Sequence, residues 1–144
     1  MKIVIATSVS KNYLAVWKGF NASLFKKLNP PFPPVKLLRF DGSKKDDRVI
    51  LELNFLVFKQ EWESLIIAHK EDKNEIYFID EGVRLPFFLK TWQHKHRIIQ
   101  FKNSTIIIDE ITFTAPYLVL NWFLYPVLWL QFMYRKPVYK NVFK

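Results

Sequence analysis

The spacing of apolar residues along this chain changes twice, and the changes mark its elements. "KIVIATSV" opens with β-branched residues and alternates into Thr and Ser, the pattern of a first strand. From Ser10 the spacing becomes helical: Tyr13, Leu14, Trp17 and Phe20 follow a cap-capable Ser10. Gly19 and Asn21 interrupt that helix, and "ASLFKKL" makes a second short one. The prolines of "NPPFPP", Asn29 to Pro34, forbid regular hydrogen bonding and predict an extended linker. Strand-like runs then follow: "VKLLRFDG", "RVILELNFLVF", "QEWESLIIAHK", "NEIYFIDEGV", "LKTWQHKHRIIQF" and "STIIIDEITFTA". The connectors "SKKDD", "DKN" and "KN" are short enough for hairpins, so the sheet is expected to be antiparallel. Only "RLPFF", with Pro86, reads as an irregular connection.

The last stretch, "PYLVLNWFLYPVLWLQFMYRKP" from Pro116 to Pro137, poses a choice between a membrane anchor and a helix that a domain wraps around. No charge occurs from Tyr117 to Tyr134, which approaches the ~20 residues a bilayer span needs. Asn121 and Gln131 carry amides, and Pro126 removes a backbone donor in mid-run. At about 100° per residue, Asn121, Leu124, Leu128, Gln131 and Arg135 share one stripe, opposite Trp122, Tyr125, Trp129 and Met133. Six or seven antiparallel strands in a row must curl, and their apolar concave face needs cover. The terminal helix, Tyr117 to Tyr139, is the element able to supply it. The expectation is therefore an α+β single domain over residues 1–144: strand, two short helices, six strands and a long helix gripped by the sheet. Trp122 and Trp129, about two turns apart, are predicted to point into the concave face, with Asn121, Gln131 and Arg135 toward its polar edge.

Composition narrows the functions. Aromatic residues make up 17% of the chain, more than an ordinary core of this size needs, which suggests a lined cavity or a large contact surface. Three glycines leave no material for a glycine-rich phosphate loop, and the absence of cysteine excludes disulfides, thiolate metal sites and cysteine nucleophiles. The net charge of +9 is compatible with nucleic acid, but the basic residues are scattered and form no basic helix, so no nucleic-acid partner is expected. The apolar run near Met1 is too short for a signal sequence, and a cytoplasmic location is the expectation.

The candidate chemistry lies in the last hairpin. With Lys102–Asn103 as a two-residue turn, His96 faces Asp109, His94 faces Ile111, Trp92 faces Phe113 and Ile98 faces Ile107. All eight share one face, an apolar wall with a His–Asp pair and an extra His; Gln93, Lys95, Arg97, Glu110 and Thr112 lie on the other. A close His–Asp pair either satisfies two buried polar groups, contacts a ligand, or holds an imidazole as a general base. A metal is not expected, because Asp109 and a distant His69 make a poor set with His94 and His96. No cofactor is called for.

The order of elements resembles the START-like, helix-grip superfamily, also called SRPBCC, which includes polyketide cyclases and lipid-transfer domains. Small bacterial stand-alone members are similar in the Trp92-x-His94-x-His96 strand, Thr105 and Asp109, Pro116, Tyr134–Arg135, Pro30–Pro31, and Phe78, Asp80, Glu81, Pro86 and Phe87. The resemblance implies a cavity between sheet and terminal helix that takes a hydrophobic small molecule, and no particular reaction. The expected function is binding of a lipid or aromatic metabolite. Trp92, Ile111, Phe113, Trp122 and Trp129 would serve as walls, and His94, His96 and Asp109 would orient a polar head. Bulky Trp122, Phe123, Tyr125 and Trp129 would narrow that cavity. The alternatives are an enzyme of cyclase or dehydratase type with His96 as base oriented by Asp109, and a module that binds a protein partner or contacts a membrane surface transiently without integral insertion.

Overall fold

The computed structural model describes residues 1–144. Seven strands form one antiparallel sheet in the order β1-β7-β6-β5-β4-β3-β2. They are β1 (Lys2–Val9), β2 (Val35–Phe40), β3 (Arg48–Asn54), β4 (Lys59–Glu71), β5 (Glu75–Arg84), β6 (Thr91–Phe101) and β7 (Ser104–Thr114). Between β1 and β2 lie α1 (Tyr13–Lys18) and α2 (Ala22–Leu28), and after β7 come α3 (Leu118–Met133) and α4 (Arg135–Val142). The predicted α+β architecture is therefore present, with the terminal helix broken at Tyr134.

Local chemistry explains the boundaries. Asn12, not Ser10, caps α1 by accepting from the Ala15 amide at 2.9 Å, and Asn21 caps α2 by accepting from Leu24 at 3.0 Å. In α1 the buried residue is Val16. Lys102 takes a positive φ of 55° in the β6–β7 turn, which seats the two-residue loop and holds the predicted register. "FLVF" leaves β3 at Asn54: its side chain accepts from the Leu56 amide, and Leu56 enters the left-handed region at φ 73°. The run becomes an exposed hairpin tip instead of the predicted strand. Register shifts at Glu63/Ser64 and Ile66/Ala68 kink the long β4, as bulges do, and help the sheet curl.

Two apolar clusters fill the concave side. One gathers Val16, Phe20, Leu24 and Leu28 of the early helices with Ile66, Phe78, Ile98, Ile107, Tyr139 and Phe143. The other places Leu124, Leu128 and Phe132 of α3 over Trp92, Ile111, Phe113 and Leu89. α4 is tied to the start of the chain, with the Phe143 carbonyl accepting from the Ser10 and Lys11 amides at 3.1 and 3.3 Å.

The phase of α3 is the opposite of the predicted one. Trp122 and Trp129 are 68% and 40% exposed, whereas Leu124, Leu128 and Phe132 are buried against the sheet. The cause is steric and follows helical spacing: three residues at i, i+4 and i+8 make a narrow apolar ridge that fits a face already occupied by Trp92 and Phe113, while indoles there would have to displace those rings. Asn121 is spent on the helix entry, its Oδ1 accepting from the Ala115 amide at 2.6 Å.

Removing residues 116–144 would strip the cover from Trp92, Ile111 and Phe113 together. The expected product is an insoluble or molten chain without near-UV dichroism; a soluble, cooperatively unfolding 1–115 fragment would contradict the packing described.

Candidate functional site

β5, β6 and β7 bring four polar side chains to the concave face between the two apolar clusters. The predicted cross-strand pairs are all present: His96 with Asp109, His94 with Ile111, Trp92 with Phe113 and Ile98 with Ile107. The hydrogen bonds, however, run to the neighbours of the facing residues. His94 Nε2 lies 2.8 Å from Asp109 Oδ1, and His96 Nε2 lies 2.7 Å from Asp80 Oδ2. Trp92 Nε1 donates to Asp80 Oδ1 at 3.2 Å. The lateral contacts are longer: His94 Nδ1 to Asp80 Oδ2 is 3.7 Å, and His96 Nδ1 to Asp109 Oδ1 is 3.8 Å. The two imidazoles lie 3.5 Å apart between centroids, tilted by 31°. Arg135, the first residue of α4, brings Nη1 to 3.6 Å from Asp109 Oδ1.

The electrostatics sort the protons. Burial pushes the Asp80 carboxyl upward, but the His96 hydrogen bond, the nearby His94 and the Trp92 donor together hold it below the usual carboxylate range. Asp109 is likewise held low against burial by the His94 hydrogen bond, with Arg135 and His96 adding to the pull. Burial and the neighbouring His94 push His96 down to about 4, against the attraction of both carboxylates. Burial and the Asp109 charge push the Tyr139 hydroxyl up. An ionised carboxylate can only accept, so His96 carries its hydrogen on Nε2 toward Asp80, and Nδ1 keeps a lone pair. That Nδ1 is buried without a hydrogen-bond partner, as are Asp109 Oδ2, Arg135 Nη1 and the Tyr139 hydroxyl.

A cavity of about 540 Å³ opens over this cluster, bounded by α3, the linker after α2, and strands β2 to β6. Its wall is mainly apolar; Asp80, His94, His96, Gln131 and Arg135 form its polar end. Of the predicted walls, Trp92 lines the cavity. Ile111 and Phe113 are fully buried in the cluster behind it, Asp109 lies behind His94, and Trp122 and Trp129 lie outside. The expected narrowing by α3 aromatics therefore does not occur: of the four, only Phe123 borders the cavity, and it is largely exposed. Thr105 satisfies a structural need, donating to the Lys11 carbonyl at 2.6 Å, and His69 stacks on Trp17 at 5.0 Å, away from the cluster.

Asp80, one of the residues that carry the resemblance, joins the cluster from β5. "EIYFIDEGV" carries apolar residues on both faces, so its inward phase is not legible from alternation; the phase is set by pairing of Phe78 with His96 and Asp80 with His94. Asp80, His94 and His96 are also the residues able to hold a metal ion, their ligand atoms all lying within 4.8 Å of one another.

A curved antiparallel sheet with a long terminal helix is shared with solved structures. Protein Ms6760 from Mycobacterium smegmatis aligns with a TM-score of 0.64 at 14% identity, covering 92% of this chain and 84% of its own. Major latex-like protein 151 from Panax ginseng aligns at 0.64 and 13%, covering 92% and 89%. Norcoclaurine synthase from Thalictrum flavum, in complex with dopamine and hydroxybenzaldehyde, aligns at 0.58 and 13%, covering 88% and 76%. The chain has the helix-grip fold that these structures share. No protein-family model and no curated protein matches the sequence. At these identities the helix-grip likeness establishes architecture, and function must come from the site.

The cluster makes stability pH-dependent. The folded state keeps His96 neutral down to about 4, while the unfolded chain protonates it below about 6.5. The unfolded state thus binds more protons in that window, and stability falls as pH drops from 6.5 toward 4, by about 3 kcal/mol when fully expressed. Loss of the Asp80 and Asp109 contributions follows below the ordinary carboxylate range. Urea midpoints of chelator-treated protein should show this slope, and His96→Gln should flatten it between pH 6.5 and 4; an unchanged slope would contradict the assignment.

Proposed function

We propose that this protein binds a hydrophobic or amphipathic small molecule, with its apolar body in the cavity and its polar end against His94, His96 and Asp80. The observation that carries this reading is a mainly apolar cavity of about 540 Å³ with the Asp80, His94 and His96 cluster on its wall. Sites for small molecules typically span about 300–1,000 Å³ and combine apolar walls with a few placed polar groups. The helix-grip proteins similar to this chain support it, since one of them, norcoclaurine synthase, is bound to small aromatic molecules. A general-base role for His96 is less well supported, because its one free ring nitrogen is buried facing Asp109, behind the cavity wall.

Native mass spectrometry of protein from its own host, followed by solvent extraction, should reveal a co-purified apolar compound. Leu51 borders the cavity half-buried, so Leu51→Trp should reduce binding of that compound at least tenfold with little change in melting temperature. Absence of any extractable compound, or unaltered binding by Leu51→Trp, would count against the cavity as the site.

A membrane surface is the partner that the cavity mouth favours. Phe32, Phe87 and Phe123 border the cavity yet are exposed. The neighbouring hairpin tip exposes Leu56 and Val57, with Phe58 packed on Phe87 at 5.8 Å between centroids, and α3 exposes Leu118, Val119 and Trp122. No helix is long and apolar enough to cross a membrane. A shallow apolar rim on a chain of net charge +9 suits peripheral contact with anionic lipid, through which an apolar ligand would pass without crossing water. Vesicles containing phosphatidylglycerol should co-sediment the protein at low salt, and the Val57→Asp, Trp122→Asp double variant should bind at least tenfold more weakly. Failure of the wild type to sediment would remove the membrane from the reading while leaving ligand binding intact.

A further inference from the structure

We propose that Asp80, His94 and His96 form a mononuclear site for a divalent transition-metal ion of the zinc class, with an open position facing the cavity. The inference is independent of what occupies the apolar part of the cavity.

The donor geometry is its first support. Asp80 Oδ2 lies 2.7 Å from His96 Nε2 and 3.7 Å from His94 Nδ1, so one carboxylate oxygen already stands between two imidazole nitrogens. Donors bound to one zinc at 2.0–2.2 Å in tetrahedral geometry sit roughly 3.3 Å apart. These two spacings bracket that value, and all three ligand atoms lie within 4.8 Å of one another. All three residues line the cavity, so a fourth ligand, water or an oxygen of a bound molecule, has access.

The surroundings are the second support. A metal-bound imidazole is commonly oriented by a carboxylate that accepts from its other nitrogen. Asp109 fills that place for His94, accepting at 2.8 Å from Nε2 and leaving Nδ1 turned toward Asp80. For His96, coordination through Nε2 requires its hydrogen to move to Nδ1. That nitrogen is buried without a partner and lies 3.8 Å from Asp109 Oδ1, and Asp109 Oδ2 is itself unpartnered. The tautomer change therefore puts a hydrogen on the orphaned Nδ1 where it faces Asp109, and no proton is lost from the ring. Arg135, with Nη1 3.6 Å from Asp109 Oδ1, gives that carboxylate a partner outside the three-residue donor set.

The donor set selects the ion. Two nitrogens and one carboxylate oxygen, with no thiolate in the chain, suit Zn²⁺ and Co²⁺ better than the hard oxygen-seeking Ca²⁺ or Mg²⁺. His69, stacked on Trp17 and outside the three-residue donor set, serves as an internal control.

Full-length protein freed of metal with chelator and then dialysed should take up one equivalent of Zn²⁺ by calorimetry, and Co²⁺ should give the visible absorption of a four-coordinate ion. His94→Gln and Asp80→Asn should each abolish uptake at stoichiometric metal, Asp109→Asn should weaken it roughly 10–100-fold, and His69→Gln should leave it unchanged. Near-UV dichroism establishes that each variant is folded. Where a variant is not, ring-nitrogen NMR of wild-type protein decides: Zn²⁺ should shift His94 Nδ1 and His96 Nε2 and spare His69. No uptake by folded wild type, uptake indifferent to the His94 and Asp80 variants, or ring nitrogens unmoved by Zn²⁺ would each overturn the proposal.

Discussion

Two carboxylates, Asp80 and Asp109, are buried on the concave face of the sheet and kept ionised there, and much of the neighbouring structure answers that constraint. An unpaired carboxylate in such a place would carry an effective penalty of several kcal/mol, and removing one partner of a buried pair typically costs about 3–5 kcal/mol. His96 and Trp92 therefore converge on Asp80, while His94 and Arg135 converge on Asp109. Because those partners come from β6 and α4, the constraint ties the strand register to the docking of the terminal helix. The flanking apolar clusters shield the polar layer: Phe78 stacks on His96 at 4.1 Å, and Phe132 meets the His94 ring edge-on at 5.1 Å. Such shielding strengthens every interaction inside the layer and makes any mismatch expensive.

What could be read in the sequence follows from how locally each feature is determined. The β6–β7 register was legible because a two-residue turn leaves no freedom in pairing, and it placed His96 opposite Asp109 correctly. The hydrogen bonds were not legible, because an imidazole reaches a diagonal neighbour as easily as a facing one, and the choice depended on Asp80 from a third strand. That strand carries apolar residues on both faces, and the long irregular connection before β6 breaks the register argument. The terminal helix shows the same limit. It is apolar around nearly its whole circumference, so periodicity identified the helix but not the face that packs, and the small ridge of Leu124 and Leu128 prevailed over the larger indoles.

The unusual aromatic content is divided between two jobs. Trp92, Phe78, Phe113 and Phe132 pack within the interior, where rings supply area and hold the polar layer. Phe32, Phe87, Phe123 and Trp122 stand at or beside the cavity mouth and are exposed there. Exposed apolar surface on this scale calls for a partner in the way a core does not. A helix-grip fold permits this division because its helix covers only part of the concave face, leaving the side toward β2 and β3 open.

An amphipathic molecule entering this cavity has one favourable orientation. Its polar end must leave water, and the densest set of groups that can repay that desolvation is Asp80, His94, His96, Gln131 and Arg135. The apolar tail then occupies the wall and the mouth, next to the exposed rim. Reversing it would set a tail against ionised side chains and a head among phenylalanines, losing on both ends. The carboxylates, with His96 neutral, disfavour a bare anion at their own end, so an anionic head would need Arg135 or a bound cation to be accepted. A neutral head able to donate a hydrogen bond needs neither. The charge arrangement of the polar layer thus separates ligand classes before any contact with the apolar wall is considered.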